Sequence, residues 1–273
     1  MEHINYYREE KLPHIWCPGC GHGTVMGAIV RSIDEVGLDP TKTVVVSGIG
    51  CSSRAPGYLK FDTLHTTHGR AIAFATGIKM ANPELNVIVI TGDGDGAAIG
   101  GNHLIHACRR NIGLTVVMFN NNIYGMTSGQ FSPLTPEGKN ATTAPYGNID
   151  PEFDICNMVE GAGATYVARS TTYHIQQLTK LITKGLNHEG FSFVEAYTQC
   201  PTNYGRRNKM SDPVEMMKWQ KDHIIPEKVY EQLPKEERKG KFVRGLLHQD
   251  TEKQEYTSAY KEVIDHAQKG GQE

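Results

Sequence analysis

The chain has 273 residues, enough for one large domain or for a domain with an appended segment. Its 28 basic and 30 acidic residues give a net charge of −2, which offers no electrostatic basis for binding nucleic acid or an anionic membrane. It has no apolar run that predicts a membrane span, and its charged first residues are unlike a signal peptide. We therefore expect a cytoplasmic protein with a small-molecule or protein partner and no membrane contact.

Apolar runs of strand length alternate with amphipathic segments of helical spacing over about residues 23–197, a pattern typical of βα units. Val25, Ile29 and Ile33 fall on one face of a helix that ends at Gly37, and a buried strand follows at 43–48. Further strands are predicted in NVIVITG, LTVVMFN, TYVAR and FSFVEAY, and further helices in GRAIAFATGIKMAN, AIGGNHLIHACRRN, FDICNMVEGAG and HIQQLTKLITKGLNH.

This alternation predicts an α/β fold with a doubly wound, mostly parallel sheet. The stretch 125–150 is rich in Gly, Pro, Thr and Ser and is too long for an ordinary connection, so we expect a functional loop. After about residue 205 the segments become charged and helix-prone, as in DPVEMMKWQKDHI and YTSAYKEVIDHAQ. We predict one domain over 1–204 and a helical C-terminal extension over 205–273.

A glycine-rich turn, TGDGDGAAIGG, joins a predicted strand to a predicted helix. It fits a dinucleotide-binding fingerprint only loosely, because the next strand ends in NNN and offers no carboxylate for a ribose. The other reading is a metal–diphosphate site, in which Asp93 and Asn121, 28 residues further on, supply oxygen ligands to Mg²⁺ from neighbouring strand ends. A glycine turn without any ligand remains a further alternative.

Four of the six cysteines can converge on the same sheet edge. Cys17 and Cys20 form one C-x₂-C pair, whereas Cys51 and Cys200 each follow a predicted strand. Structural zinc usually has two such pairs, and a redox dithiol leaves the two single cysteines unexplained. A buried cluster on four distant thiolates fits the spacing better. The other two thiols are expected to be packing residues within helices: Cys108 and Cys156.

Six ordered motifs together resemble the β subunit of the 2-oxoacid:ferredoxin oxidoreductases: CPGCGHG, GIGCSS, HTTHGRAIAFATGIKMANP, GDGDG, NNNIYGMTSGQ and CPTNYGRRN. The resemblance covers about residues 12–210 and favours the 2-oxoglutarate type. It implies the thiamine diphosphate-binding fold and the CoA-dependent oxidative decarboxylation of 2-oxoglutarate to succinyl-CoA and CO₂, or the reverse reaction. Electrons would pass through a [4Fe-4S] cluster to ferredoxin.

The resemblance also assigns residues to each cofactor. The [4Fe-4S] ligands would be Cys17, Cys20, Cys51 and Cys200, and the Mg²⁺ ligands Asp93, the Asn121 side chain and the Ile123 carbonyl. Residues expected at thiamine diphosphate are Ile49, Gly50, Cys51, Ser52, His68, Gly92, Gly94, Asp95, Gly125 and Met126. His68 is further expected to act in the substrate cavity.

Substrate choice and assembly give two more expectations. Arg54 lies three residues after Cys51, and its guanidinium could bind the distal carboxylate of 2-oxoglutarate; a surface or interface role is the alternative. We find no glutamate placed to activate the cofactor, so the resemblance implies an obligate α subunit that supplies one. The C-terminal extension over 205–273 is expected to pack on that subunit.

Three other functions remain open at this point. The first is a β subunit with pyruvate or broad 2-oxoacid specificity. The second is a non-oxidative thiamine enzyme, which would not need the four cysteines. The third is a cluster-containing electron-transfer protein in which the glycine turn is only structural.

Overall fold

The computed structural model describes residues 3–270. Residues 1–2 of the predicted domain and 271–273 of the predicted extension lie outside the described part. The strands are β1 (Thr43–Ser47), β2 (Asp62–His65), β3 (Asn86–Gly92), β4 (Thr115–Asn120), β5 (Tyr166–Thr171), β6 (Ser192–Tyr197), β7 (Ile224–Pro226) and β8 (Phe242–Gln249). The helices are α1 (His22–Val36), α2 (Ala71–Ala81), α3 (Gly101–Arg110), α4 (Ile155–Gly161), α5 (Ile175–Leu186), α6 (Pro213–His223), α7 (Glu227–Gln232) and α8 (Tyr256–Gly270).

The strands form one eight-stranded sheet in the order β2-β1-β3-β4-β6-β5-β8-β7. Strands β1 to β6 pair in parallel, and only β8 runs antiparallel to its neighbour β5. Helices α1 and α5 pack together on one face of the sheet, and α2, α3 and α4 cover the other. The doubly wound, mostly parallel fold expected from the sequence is therefore confirmed.

Alternating residues of the central strands feed two hydrophobic cores. Val45 and Ile88 pack with the core beneath α1 and α5, whereas Val46 and Val89 pack beneath α2 and α3. Every residue of β4, β5 and β6 is buried. Burial on both faces explains why β4 is a nearly continuous apolar run instead of an alternating pattern.

The C-terminal segment differs from the expected helical extension. Helices α6 and α8 form where the charged segments predicted them, but β7 and β8 also form, and β8 lengthens the central sheet beside β5. The strand β8 was missed because it carries Arg244, Gly245 and His248 and has no apolar run. It forms because the edge of β5 offers unpaired backbone groups that need partners.

Two buried polar residues hold the C-terminal segment against the end of the sheet that lies opposite the strand carboxyl ends. The Asn111 amide donates to the carbonyls of Lys253 and Gln254, at 3.0 and 3.2 Å. The Glu255 carboxylate accepts the backbone N–H of Gly113 at 2.8 Å.

Among residues 3–270, no helix is both long and apolar enough to cross a membrane.

Candidate cofactor and metal site

A pocket opens at the carboxyl ends of β1, β3 and β4, where ligands bind in open α/β sheets. All ten residues expected to contact thiamine diphosphate line it, together with Asp93, Asn121 and Ile123. Its volume is about 160 Å³, which is below the roughly 300–1,000 Å³ of typical ligand pockets. The described residues alone therefore do not enclose a ligand of typical size.

Three oxygen-bearing groups converge inside the pocket. The Asn121 amide lies 2.7 Å from the Ile123 carbonyl and 3.3 Å from Asp93 Oδ1. If the amide nitrogen faces these oxygens it donates to both; if the amide oxygen faces them, three oxygens surround one point, as around a hard cation. The donor set thus fits Mg²⁺.

Asp93 is buried, and burial raises its pKa to about 7. The Ser132 hydroxyl donates to Asp93 Oδ2 at 2.6 Å, and together with nearby backbone N–H groups it opposes that rise in the pKa. Among residues 3–270, no Lys, Arg or His side chain forms an ion pair with Asp93. A buried carboxylate without a cationic neighbour is a group that a bound divalent ion would stabilise.

Asp95 makes different contacts from its neighbour two residues earlier. Its carboxylate accepts from His68 Nδ1 and the Gly69 N–H, both at 2.7 Å, from the Ile49 N–H at 3.1 Å and from the Thr91 hydroxyl at 2.7 Å. Both oxygens of the Asp95 carboxylate therefore already accept hydrogen bonds from the protein. Asp95 lines the pocket, but these contacts fit a residue that joins the surrounding loops better than one that binds the diphosphate.

The two residues expected to act on substrate lie in different places. His68 is partly exposed, and Asp95 holds its Nδ1, which leaves Nε2 for the pocket. Arg54 is exposed in the 3₁₀ segment after Cys51 and is not among the residues that line the pocket. Its role in binding a carboxylate stays a prediction.

Tyr124 packs directly against the glycine turn. Its hydroxyl donates to the Gly94 carbonyl at 2.9 Å. Burial, together with Asp93 and Asp95, raises its pKa to about 12, so the hydroxyl remains a donor at neutral pH. A Cβ on Gly94 would overlap the Tyr124 ring, so this close approach requires glycine.

Segments of π-helix follow two of the expected metal ligands. One spans Gly94–Ile99, directly after Asp93, and the other spans Pro201–Gly205, directly after Cys200. Such segments are rare and occur frequently at functional sites.

The four cysteines of the expected cluster lie within electrostatic reach of one another. Burial raises the pKa of the Cys20 thiol to about 12, and Cys200, Cys51 and Cys17 add to that rise. Burial likewise raises the pKa of Cys51 to about 11. A reactive dithiol needs a lowered pKa, so this environment disfavours the redox alternative.

Within residues 3–270, no three His, Cys, Asp or Glu side chains lie close enough to hold one metal ion. A four-iron cluster binds each thiolate to a different iron, so its ligands are held further apart.

Gly125 lies beside two of the sulfurs. A Cβ on this glycine would be in van der Waals contact with both, at 3.5 Å from Cys51 Sγ and 3.7 Å from Cys200 Sγ. The backbone N–H groups of Tyr204 and Asn203 lower the pKa of Cys200 against the larger effect of burial. Such N–H donors suit a negatively charged sulfur ligand, so the arrangement fits a cluster.

Hydrogen bonds from outside the pocket fix the segments that carry the cysteines. Trp16 Nε1 donates to the Cys51 carbonyl at 2.7 Å. The Gln199 amide donates to the carbonyl of Gly19, between Cys17 and Cys20, at 3.1 Å. These contacts tie the C-x₂-C turn and the two later cysteine segments into one structure.

Sequence reasoning missed several residues of the site. Tyr124 follows the asparagine run and could have been found from that position, but nothing in the sequence marks Ser132 as a partner of Asp93. His22 has no role that the sequence decides, whereas the structure places it in the pocket wall. It contacts the Thr198 hydroxyl at 3.2 Å and is neutral because burial lowers its pKa to about 3.

Residues 48–196 match the family model of the thiamine pyrophosphate enzymes, C-terminal TPP binding domain. The chain is also 54% identical over 262 residues to the 2-oxoglutarate synthase subunit KorB of Methanocaldococcus jannaschii, covering 96% of this chain and 97% of that protein. The chain belongs to the β-subunit family of the 2-oxoacid:ferredoxin oxidoreductases. The resemblance seen in the sequence motifs is thereby confirmed.

Two further members of this family extend the comparison. The 2-oxoacid:ferredoxin oxidoreductase subunit beta of Saccharolobus solfataricus is 43% identical over 189 residues, covering 68% of this chain and 62% of that protein. The structure of 2-oxoglutarate:ferredoxin oxidoreductase from Magnetococcus marinus, with 2-oxoglutarate, coenzyme A and succinyl-CoA bound, has a TM-score of 0.86 at 33% identity. That match covers 98% of this chain and 91% of the other. As a family member, the chain is an oxidoreductase subunit with a thiamine diphosphate-binding domain.

Gly94→Ala should weaken thiamine diphosphate binding at least about tenfold, because the new Cβ would displace Tyr124 from the turn beside Asp93. Titration of the cofactor, with Mg²⁺ present, by calorimetry measures this. The matched control is Gly101→Ala, where a Cβ meets open space at the start of α3. Equal affinity in both variants and the parent protein would contradict the assigned role of this turn.

Proposed function

We propose that this chain is the β subunit of a 2-oxoglutarate:ferredoxin oxidoreductase. It would carry thiamine diphosphate, Mg²⁺ and a [4Fe-4S] cluster, and would act with an α subunit, coenzyme A and ferredoxin. The reaction is the oxidative decarboxylation of 2-oxoglutarate to succinyl-CoA and CO₂, or its reverse. The relatives named for 2-oxoglutarate support this substrate over pyruvate. The cytoplasmic location stays a prediction.

One observation carries the proposal: Cys51 lines the same pocket as the three oxygen-bearing groups of the expected Mg²⁺ site. The Cys51 sulfur also lies beside Gly125 together with the Cys200 sulfur. A one-electron acceptor on the cysteines would therefore adjoin the organic cofactor. A non-oxidative thiamine enzyme has no use for that acceptor, and an electron-transfer protein has no use for the converging oxygens.

When bound, thiamine diphosphate supplies the carbon nucleophile and the electron sink that decarboxylation of a 2-oxoacid requires. The protein's part is to bind and orient. Asp93, Asn121 and Ile123 would hold the Mg²⁺ that neutralises the diphosphate. His68, fixed through Nδ1 by Asp95, presents Nε2 to the pocket and can exchange a proton there.

The site needs a second chain for two reasons. No glutamate in residues 3–270 lines the pocket, so the carboxylate that activates the cofactor would come from the α subunit. The small cavity also leaves apolar side chains at its mouth in solvent: Ile49 is 40% exposed and Met126 is 46% exposed. A partner packed against this mouth would cover them and complete the cavity.

The cluster assignment is tested by Cys17→Ala in the complex with the α subunit, purified without oxygen. We expect loss of the cluster's visible absorption and of ferredoxin reduction, with thiamine diphosphate and Mg²⁺ retained, because Asp93 and Asn121 lie on other segments. Iron analysis and bound-cofactor analysis measure the two outcomes separately. Cys108→Ala, which removes a buried packing thiol in α3, is the control and should keep its iron. Unchanged iron content in the Cys17 variant would refute the assignment.

The substrate assignment is tested by Arg54→Ala. If its guanidinium binds the distal carboxylate, the KM for 2-oxoglutarate should rise about 10- to 100-fold, as expected for loss of a charge-assisted hydrogen bond. The KM for pyruvate, which has no distal carboxylate, should change little. Steady-state ferredoxin reduction gives both values, and Lys60→Ala, an exposed basic residue nearby, is the control. An equal effect on both substrates would eliminate this role for Arg54.

A further inference from the structure

Asn120, the residue before Asn121, is completely buried and links the expected Mg²⁺ ligands to a buried ionic group. Its amide nitrogen donates to Glu195 Oε1 at 2.7 Å, and its amide oxygen accepts the Asn122 N–H at 3.0 Å. An amide has its donors on one side and its acceptor on the other. The bond to Glu195 therefore determines which way the Asn120 amide points.

The turn after β4 needs this orientation. Asn122 has a φ of 60°, a left-handed conformation that is uncommon for residues other than glycine. The hydrogen bond from its N–H to the Asn120 side chain is of the kind that stabilises such turns. This turn directs the Asn121 amide and the Ile123 carbonyl towards Asp93.

Glu195 is an unusual residue for the middle of a central strand. It is only 1% exposed and pairs with the equally buried Arg169, whose Nε lies 2.6 Å from Glu195 Oε2. Arg169 also pairs with Asp154, the residue that caps α4. Buried ion pairs contribute little net stability compared with apolar residues of the same size. Stability alone therefore does not account for a charged residue at this position.

We propose that Glu195 is a positioning residue for the Mg²⁺ site. It acts through Asn120 to hold the turn that carries Asn121 and Ile123. This inference rests on the proposed function in one respect, since it takes Asp93, Asn121 and Ile123 as metal ligands.

Two single substitutions disturb the hydrogen bond between Asn120 and Glu195 and leave the side-chain volumes nearly unchanged. In Glu195→Gln, the new amide has one oxygen for two donors, so either Arg169 or Asn120 meets an N–H₂ group. In Asn120→Asp, two carboxylates face each other and either repel or take up a proton. The turn loses its fixed orientation where the two carboxylates repel or where the N–H₂ group faces Asn120.

The double variant N120D/E195Q reverses the pair. The amide nitrogen introduced at position 195 can then donate to the carboxylate introduced at position 120, while the new amide oxygen still accepts from Arg169. The second oxygen of the new carboxylate remains available to the Asn122 N–H. A purely structural loss would accumulate in the double variant, whereas a restored hydrogen-bond pattern gives recovery.

The experiment measures Mn²⁺ affinity at pH 8 by electron paramagnetic resonance, with thiamine diphosphate present and no substrate. It uses the complex of the full chain with its α subunit. Mn²⁺ prefers the same oxygen ligands as Mg²⁺ and is visible to the method. The control is Glu255→Gln, which alters a buried, hydrogen-bonded carboxylate at the opposite edge of the sheet.

We expect each single variant to bind Mn²⁺ at least about tenfold more weakly, the double variant to recover to within about threefold of the parent, and Glu255→Gln to match the parent. Single variants that bind like the parent overturn the inference, as does a double variant that binds no better than the singles. If the single variants cannot be purified, the double variant is compared with the parent alone, and recovery to within about threefold is again the expected result. Failure of the parent complex to bind Mn²⁺ would instead refute the proposed function.

Discussion

The Asp95 carboxylate joins three chain segments at the edge of the sheet where the pocket opens. It accepts hydrogen bonds from the segment after β1, from the loop before α2 and from the end of β3. A buried carboxylate would be costly without such donors, and four of them, His68 Nδ1 included, satisfy it. The loops that line the pocket are thereby held in fixed positions before any ligand binds.

Against this fixed background, burial outweighs the hydrogen bonds made to Asp93 and to Cys20. Burial raises the pKa of Asp93, and it also raises the pKa of Cys20 and Cys51. Asp95 and Asp93 thus differ although they lie in the same turn. Protein donors satisfy Asp95, whereas Asp93 suits a bound cation.

Much of the fold and of the pocket lining could be predicted from the sequence because strongly periodic segments and strand-end motifs report local structure. The apolar runs predicted β1, β3, β4, β5 and β6, but β2 and β8 have no apolar run and depend on pairing with an existing sheet edge. Contacts between distant segments were equally invisible. Ser132 reaches Asp93 from a loop, and Glu195 acts from the middle of a strand whose apolar pattern only indicates burial.

The central claim is that a cluster on the cysteines accepts electrons from the cofactor in the adjoining pocket, and it can be tested directly. The parent complex, prepared without oxygen, is mixed with 2-oxoglutarate in the absence of coenzyme A and ferredoxin, frozen at intervals and measured by electron paramagnetic resonance. We expect the signal of a singly reduced [4Fe-4S] cluster to appear as CO₂ is released. Release of CO₂ without any cluster signal would contradict it.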